Sequence, residues 1–119
     1  MTNEYRPSSS DRVRDQVARY EATDGVEGGE LNGLPVVILT TQGAVSGAVR
    51  KTPIMRVTDG TAYVAIASYA GSPHNPAWYH NLLASPEAEI RDRNRIVAVC
   101  ARRGARRGEG SPVGDRRCR

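Results

Sequence analysis

The chain has 119 residues, which is enough for one domain with a single hydrophobic core and too short for two. Its 39% of hydrophobic and 25% of charged residues are typical of a globular protein rather than a disordered one. The longest apolar run, residues 34–39, is far shorter than the roughly 20 residues that a membrane span needs, and no apolar signal segment opens the sequence. The two cysteines form no Cys-x-x-Cys motif. We therefore expect a cytoplasmic protein, with peripheral membrane contact as an open alternative.

Positive charge is concentrated at one end of the chain. The net charge is +4, but residues 1–101 carry ten Arg or Lys against eleven Asp or Glu, and residues 102–119 carry seven Arg against two acids. An arginine-rich tail can contact the phosphates of a nucleic acid. This tail has no aromatic side chain to stack on bases and the rest of the chain is nearly neutral, so no nucleic-acid partner is expected.

The first part of the chain predicts a leader followed by a helix. Residues 1–10 are polar and rich in serine, and we expect a mobile leader that ends at Ser10, the N-cap of the helix. Residues 11–23 carry apolar side chains at helical spacing, namely Val13, Val17 and Tyr20. Several glycines then end this helix.

Strand patterns follow the helix. Residues 35–41 are β-branched and leucine-rich and predict a strand that is buried on both faces. Residues 50–58 and 61–68 predict a hairpin, because Asp59-Gly60 between them favours a tight turn, while Pro53 requires an edge or strand-start position. The remaining predicted elements are a short helix and two strands, at residues 77–84, 87–92 and 96–101.

This order of elements indicates a small barrel of the α+β or mainly β class over residues 11–101. Residues 102–119 contain only Val113 as a large aliphatic side chain and predict a disordered tail, so we expect the barrel to lack its last strand. An open edge of that kind favours association, including a homodimer. Two origins of the tail stay open. It is a solvated extension, or it results from a reading frame shifted near residue 93, since 16 of the 17 basic residues are Arg, as in GC-rich coding sequences.

The sequence is organised around a glycine-bearing loop within residues 40–53, TTQGAVSGAVRKTP. Gly43 and Gly47 can adopt positive φ and let backbone N–H groups converge on an anion. Ser46 can donate a hydroxyl, and Arg50 and Lys51 add fixed positive charge. This set of groups suits a phosphate, although the same pattern is also typical of an ordinary polar hairpin loop.

A second unusual stretch, residues 75–82, reads NPAWYHNL and contains the only tryptophan of the chain. Trp78 and Leu82 are four residues apart on one helix face, so they can plug one end of the barrel. An aromatic side chain at a barrel mouth can also form one wall for a flat ring.

No cluster for acid–base or nucleophilic catalysis stands out. His74 and His80 have no cysteine or paired carboxylate at ligand spacing, so no metal site is predicted. An enzyme that uses a redox cofactor needs binding and orientation from the protein and leaves the difficult step to the cofactor. The sequence is therefore compatible with a cofactor-dependent oxidoreductase.

Three motifs, taken together, resemble the deazaflavin-dependent nitroreductase family of actinobacterial oxidoreductases, which have a split β-barrel fold. The resemblance covers about residues 30–92. Its motifs are the Thr-Thr-x-Gly loop with Ser46-Gly47, Arg50 and Pro53, the segment Ala67-Ser68-x-x-Gly71, and Asn75-Pro76-x-Trp78-Tyr79-x-Asn81-Leu82.

The resemblance implies a cofactor and a site. The family uses coenzyme F420, a 5-deazaflavin with a phosphate and an acidic oligoglutamate tail, as a hydride carrier; FMN is the alternative cofactor. The implied acceptor is a quinone or a nitroaromatic compound. By resemblance, the phosphate and its tail would be held by Gly43, Ala44, Val45, Ser46, Gly47, Arg50, Lys51 and Thr52. The deazaflavin would contact Ile66, Ala67, Ser68 and Tyr69 on one side and Ala77, Trp78, Tyr79, His80 and Asn81 on another, with the Ser68 hydroxyl as the candidate catalytic group.

The chain departs from the family pattern at three places. Many relatives carry basic residues where this chain has Val45 and Tyr69, and relatives continue past residue 92 with further barrel sequence that the arginine-rich tail does not resemble. The loss of one charge-assisted contact, worth about 1.5 to 3 kcal/mol, weakens anion binding roughly tenfold or more. A barrel that binds F420 or a flavin without turnover is therefore the alternative to an F420-dependent oxidoreductase.

Overall fold

The computed structural model describes residues 4–31, 33–58, 62–65, 77–101 and 111–114. These residues form two helices and a mostly antiparallel sheet, which confirms the predicted α+β class. The elements, in chain order, are α1 (Asp11–Thr23), β1 (Glu30–Leu31), β2 (Leu34–Gln42), β3 (Val49–Met55), β4 (Ala62–Ala65), α2 (Ala77–Ala84), β5 (Glu87–Asp92), β6 (Arg95–Ala101) and β7 (Ser111–Gly114). Within these ranges, neither helix is long and apolar enough to span a bilayer.

The sheet curls into a small barrel. Its strands follow the order β3-β2-β5-β6-β7-β4, with β1 attached to the start of β2. The ring closes where the residues after β3 reach β4: the N–H of Val64 donates to the carbonyl of Val57 (2.8 Å), and Thr58 bridges to Tyr63. Among the described residues, this contact represents the predicted hairpin between residues 50–58 and 61–68, while β3 pairs along its whole length with β2. The turn predicted at residues 59–60 lies outside the described residues.

The last strand of the barrel comes from the segment that was predicted to be disordered. Ser111–Gly114 pairs with β4 on one side and with β6 on the other. The expectation of disorder is wrong for these four residues, and β7 occupies the place where an open edge was expected. The reason is that a ladder satisfies main-chain groups of β4 and β6 and does not require large apolar side chains on the added strand.

Strand β2 is buried on both faces, as its sequence predicts. One face packs against α1, through a cluster of Val17, Tyr20, Val36 and Ile38. The other face lines the barrel interior, through a cluster of Val37, Leu39, Tyr63, Trp78, Leu82, Ile90 and Val99. Each such side chain contributes about 1.5 to 3 kcal/mol when fully buried. Trp78 and Leu82 of α2 thus fill the barrel, which confirms the predicted plug.

Helix α1 begins and ends at the predicted residues and is fixed to the sheet by Tyr20. Ser10 caps the helix, since its hydroxyl accepts from the N–H of Val13 (3.4 Å). The buried Tyr20 hydroxyl accepts from the N–H of Arg93 (2.7 Å) and donates to the carbonyl of Arg91 (3.1 Å). The tyrosine therefore joins α1 to the turn between β5 and β6.

The leader contacts the sheet next to the glycine-bearing loop. The carbonyl of Glu4 accepts from the N–H of Val49, and the N–H of Arg6 donates to the carbonyl of Val49, both at 2.9 Å. Residues 4–6 thus lie beside the first residue of β3. The mobility of residues 1–10 stays a prediction, as does the division into leader, barrel and tail.

Candidate functional site

The loop that joins β2 to β3, residues 43–48, is a compact turn, and we refer to it as the glycine loop. The N–H of Gly43 donates to the carbonyl of Ala48 (2.7 Å), and the N–H of Gly47 donates to the carbonyl of Gly43 (3.0 Å). Gly47 has a φ of 73°, in the left-handed region that a residue with a Cβ adopts only at a cost. The glycine loop is therefore a hairpin tip with a defined conformation. The positive φ expected at Gly47 is confirmed, and the one expected at Gly43 is not found.

The glycine loop leaves a few donors unused. The N–H of Ala48 donates to the Ser46 hydroxyl (3.2 Å), so the Ser46 oxygen accepts and its proton can still be donated. The N–H groups of Val45 and Ser46 have no hydrogen-bond partner within the described part of the chain. Val45 is fully exposed. Two consecutive free N–H groups beside a hydroxyl form a small site that suits an anion.

Asn81 of α2 connects the helix to this loop. Its Oδ1 accepts from the N–H of Ala44 (2.9 Å), and its Nδ2 donates to Oγ1 of Thr41 (3.1 Å). Asn81 is 8% exposed and Thr41 is 3% exposed, so the hydrogen bond between them is shielded from water, whereas the bond to the exposed Ala44 is partly buried. The structure thus brings together the two stretches that the sequence singled out, the glycine loop and α2.

Arg50 lies on the barrel face of β3. It is paired with Thr41 across the ladder, and residues paired in an antiparallel ladder project from the same face of the sheet. Thr41 reaches Asn81 of α2 from that face. Arg50 is half-buried, and its guanidinium has neither an ion pair nor a hydrogen bond among the residues that the structure describes. A partly desolvated cation without a partner is a natural contact for an anionic ligand.

Lys51 lies on the opposite face of β3 from Arg50. Its Nζ is 2.6 Å from Oε2 of Glu21 in α1 and 4.8 Å from the centre of the Tyr5 ring. The structure therefore separates two residues that the sequence placed in one phosphate cradle. Thr52 is paired with Leu39, so it shares the face of Arg50. The cationic side of the candidate site thus rests on Arg50.

Helix α2 places its predicted residues at different depths. Trp78 is buried in the barrel core, Tyr79 is half-buried, and Ala77 and His80 are exposed. The Trp78 and Tyr79 rings meet edge to face with centres 6.4 Å apart, and the Tyr79 and His80 rings do so at 5.7 Å. Ile66, Ala67, Ser68 and Tyr69 lie outside the described residues, so their roles stay predictions.

A polar cluster at the other end of the barrel was missed by sequence reasoning. The buried Asp92 carboxylate accepts from the Tyr63 hydroxyl (2.7 Å) and from Nε of Arg56 (2.9 and 3.0 Å to its two oxygens). Burial, followed by the hydrogen bond to Asp92, raises the pKa of Tyr63 to about 12. These residues come from three separate segments, and nothing in their spacing relates them. Only the alternation of β5 signals that Asp92 faces inward, two residues after Ile90.

Comparison with known proteins identifies the family. The family model of F420H(2)-dependent quinone reductases matches residues 12–110, most of the chain. The chain belongs to that family. This membership confirms the resemblance drawn from the three sequence motifs, including the glycine loop and α2, which the structure has now brought into contact.

Individual members of this family show how far the likeness extends. An F420H(2)-dependent quinone reductase of Mycobacterium tuberculosis is 40% identical over 80 residues, which cover 66% of this chain and 52% of the relative. The chain therefore spans about half the length of the curated relatives it matches. A solved structure of an F420-H2 dependent reductase aligns with a TM-score of 0.56 and 36% identity, over 61% of this chain and 65% of the other.

A second solved structure, described as a domain-swapped dimer, aligns with a TM-score of 0.55 and 36% identity, over 80% of this chain and 72% of the other. Both alignments are to chains with clear sequence similarity. They confirm the predicted fold, a mostly antiparallel barrel of the split-barrel type with two helices.

Proposed function

We propose that this protein binds reduced coenzyme F420 at the glycine loop and the adjoining barrel face of β3, and supports transfer of a hydride from it to a quinone. The observation that carries the proposal is the half-buried guanidinium of Arg50, which has no partner among the described residues and lies on the face where Asn81 joins the glycine loop to α2. Family membership and the names of the matched relatives point to the same cofactor.

The residues of the site fit the anionic part of this cofactor. The free N–H groups of Val45 and Ser46, the Ser46 hydroxyl and the Arg50 guanidinium are the donors that would hold its phosphate. Gly43 and Gly47 shape the loop, Ala44 anchors it, and Thr52 adds a hydroxyl on the same face. Lys51 is left out of the site, because it is paired with Glu21 on the other face of the sheet.

The ring of the cofactor would lie where the apolar barrel face meets α2. We propose Ile66, Ala67, Ser68 and Tyr69 as the strand side of this ring site, and Ala77, Tyr79, His80 and one edge of Trp78 as the helix side. When bound, the reduced deazaflavin supplies two electrons as a hydride. A quinone that accepts one hydride also needs one proton to become a hydroquinone, and we propose that the Ser68 hydroxyl or a water molecule beside it donates that proton.

Titration of the protein with reduced F420 tests the site, with Arg50→Ala compared with wild type. Loss of a charge-assisted contact costs about 1.5 to 3 kcal/mol, so the dissociation constant should rise roughly tenfold or more. Arg12→Ala is the matched control, since Arg12 is an exposed arginine of α1 and gives the same change in net charge. Equal affinities of wild type and Arg50→Ala would remove the phosphate cradle from this proposal.

Binding without turnover is the alternative function. The two functions are separated by mixing the protein with reduced F420, with and without a soluble quinone, and following cofactor absorbance. Tight binding with no quinone-dependent oxidation favours the alternative, and oxidation that scales with protein concentration favours the enzyme.

A homodimer and a position at the membrane surface complete the proposal. The domain-swapped dimer among the aligned structures supports pairing of two copies. A quinone acceptor would be dissolved in the membrane, which supports a cytoplasmic protein that touches the bilayer peripherally. Light scattering after size exclusion tests the dimer, and co-sedimentation with quinone-loaded lipid vesicles tests the membrane contact. A monomeric mass, or no protein in the vesicle pellet, would contradict the corresponding part.

A further inference from the structure

We infer that Asn81 is a positioning residue that holds the glycine loop in the conformation in which the N–H groups of Val45 and Ser46 face a bound phosphate. It thereby gives the site a preference for a phosphate-bearing deazaflavin over one that lacks the phosphate. This inference rests on the proposed function for the identity of the ligand. It assigns to Asn81 an indirect role, in place of the direct cofactor contact that the sequence resemblance implies.

The two hydrogen bonds of Asn81 fix the orientation of its amide group. The N–H of Ala44 can only donate, so the side-chain atom that it meets at 2.9 Å must be the oxygen of Asn81. The nitrogen must then donate to Thr41, where a hydroxyl oxygen accepts it at 3.1 Å. The oxygen and one N–H of this amide are therefore engaged within the protein.

The position of this link explains its effect on the loop. Thr41 lies near the end of β2, and Ala44 lies just inside the glycine loop, so Asn81 ties the rigid strand and the loop entrance to α2. With its N–H bonded to Asn81, Ala44 cannot serve the ligand. The next two N–H groups, those of Val45 and Ser46, have no partner among the residues that the structure describes. Asn81 thus decides which backbone donors the loop presents.

The burial of Asn81 makes the link costly to break. Asn81 is 8% exposed and Thr41 is 3% exposed, so water replaces the lost partner poorly at the Asn81–Thr41 hydrogen bond. Without the link, the N–H of Ala44 turns to solvent, and the loop gains conformational freedom that phosphate binding must then remove. The loss of binding affinity should therefore affect ligands that contact the loop, and not ligands that contact only the ring site.

Binding of two ligands by three variants tests this role. The ligands are F420 and the same deazaflavin without the phosphate and its tail, and the variants are Asn81→Leu, Thr41→Val and Gln16→Leu. We expect Asn81→Leu to weaken F420 binding about tenfold, as for the loss of one to two buried hydrogen bonds, and Thr41→Val to weaken it less. Binding of the phosphate-free deazaflavin should stay unchanged in both. Gln16→Leu is the control. The side-chain amide of Gln16 also forms two hydrogen bonds, to the carbonyls of Gly28 and Glu30, and these lie far from the loop.

The outcomes separate this inference from the proposed function. Equal weakening for both ligands would overturn the positioning role, since it would mean that Asn81 contacts the ring or supports the whole barrel. Failure of the wild-type protein to bind either ligand would overturn the proposed function and the ligand preference together. The link between Asn81 and Ala44 can also be tested without a ligand, by amide hydrogen exchange. The Ala44 amide should be protected from exchange in wild type. It should exchange as fast as the Val45 amide in Asn81→Leu, and faster than in wild type in Thr41→Val. An Ala44 amide that exchanges equally in all three proteins would overturn the inference.

Discussion

Arg50 and Lys51 are neighbours in β3, yet their side chains lie on opposite faces of the sheet. Arg50 is paired with Thr41, whose hydroxyl contacts α2, and Lys51 is paired with Thr40 and forms an ion pair with Glu21 of α1. Alternation of side chains along a strand makes this separation inevitable once residue 51 is part of a regular ladder. The two adjacent cations therefore differ in their contacts: Lys51 pairs with a carboxylate of α1, and Arg50 has no ion pair among the described residues.

The ion pair between Lys51 and Glu21 should support stability and leave cofactor affinity unchanged. The side chains are 22% and 30% exposed, and Lys51 also lies over the Tyr5 ring, so Lys51→Met should destabilise the protein by about 1 kcal/mol. Urea unfolding at low and high salt measures this, and the difference should shrink at high salt. If Lys51→Met instead weakened F420 binding as strongly as Arg50→Ala, the assignment of the two faces would be wrong.

Sequence reasoning succeeded where the signal is local. The spacing of Val13, Val17 and Tyr20 gave the bounds of α1, and the β-branched run before the glycine loop gave a doubly buried β2. It failed where partners are distant in sequence. The hydrogen bond from Ala44 to Asn81 spans 37 residues, and no sequence pattern near either residue predicts it.

The strand β7 and the face of the sheet on which Lys51 lies were not predicted, for different reasons. Ser111–Gly114 forms a strand because β4 and β6 offer main-chain partners, and this is a property of those strands rather than of its own composition. The placement of Lys51, by contrast, could have been predicted by applying strand alternation to residues that were already expected to be extended.

Gly28 is required by the contact between the segment after α1 and the helix itself. Its φ is 73°, and a Cβ on it would lie 2.8 Å from the carbonyl oxygen of Gln16 and 3.2 Å from the nitrogen of Tyr20. Both neighbours are backbone atoms of α1, so they cannot move aside without shifting the helix. Gly28→Ala should therefore destabilise the protein by about 2 kcal/mol or more, as measured by thermal or urea unfolding.

Gly33 provides the matched control for Gly28. It has a similar φ of 79°, but a Cβ on it would meet no atom within 4 Å. Gly33→Ala should therefore lower the free energy of unfolding by about 1 kcal/mol, the strain of an alanine in the left-handed conformation. Equal losses in the two variants would show that the backbone conformation alone, and not the packing against α1, requires glycine at position 28.

Replacement of Asp92 should destabilise the protein more than removal of the Tyr63 hydroxyl that contacts it. Asp92→Asn leaves the Tyr63 hydroxyl and the Arg56 guanidinium without an ionised acceptor in a site where Asp92 is only 8% exposed. We expect Asp92→Asn to lower the free energy of unfolding by about 2 to 3 kcal/mol. Tyr63→Phe, which removes one charge-assisted hydrogen bond, should lower it by about 1.5 kcal/mol. In the double variant, the two losses should not add, because the contact between Tyr63 and Asp92 is counted in both. Additive losses would show that this hydrogen bond does not stabilise the barrel.

Tyr63 should also make the protein sensitive to alkaline pH. Burial and the hydrogen bond to Asp92 raise its pKa from 10.0 to about 12, and burial raises the pKa of Tyr20 as well. Between these two values the unfolded chain releases the Tyr63 proton while the folded protein retains it. The free energy of unfolding should therefore be intact below pH 10 and fall as the pH rises toward 12. Urea unfolding at pH 9 and at pH 11, with tyrosinate absorbance as a second readout, measures this fall. Tyr63→Phe should flatten the profile, and Tyr20, which remains in that variant, should account for the residual slope. A wild-type protein equally stable at both pH values would contradict the raised pKa.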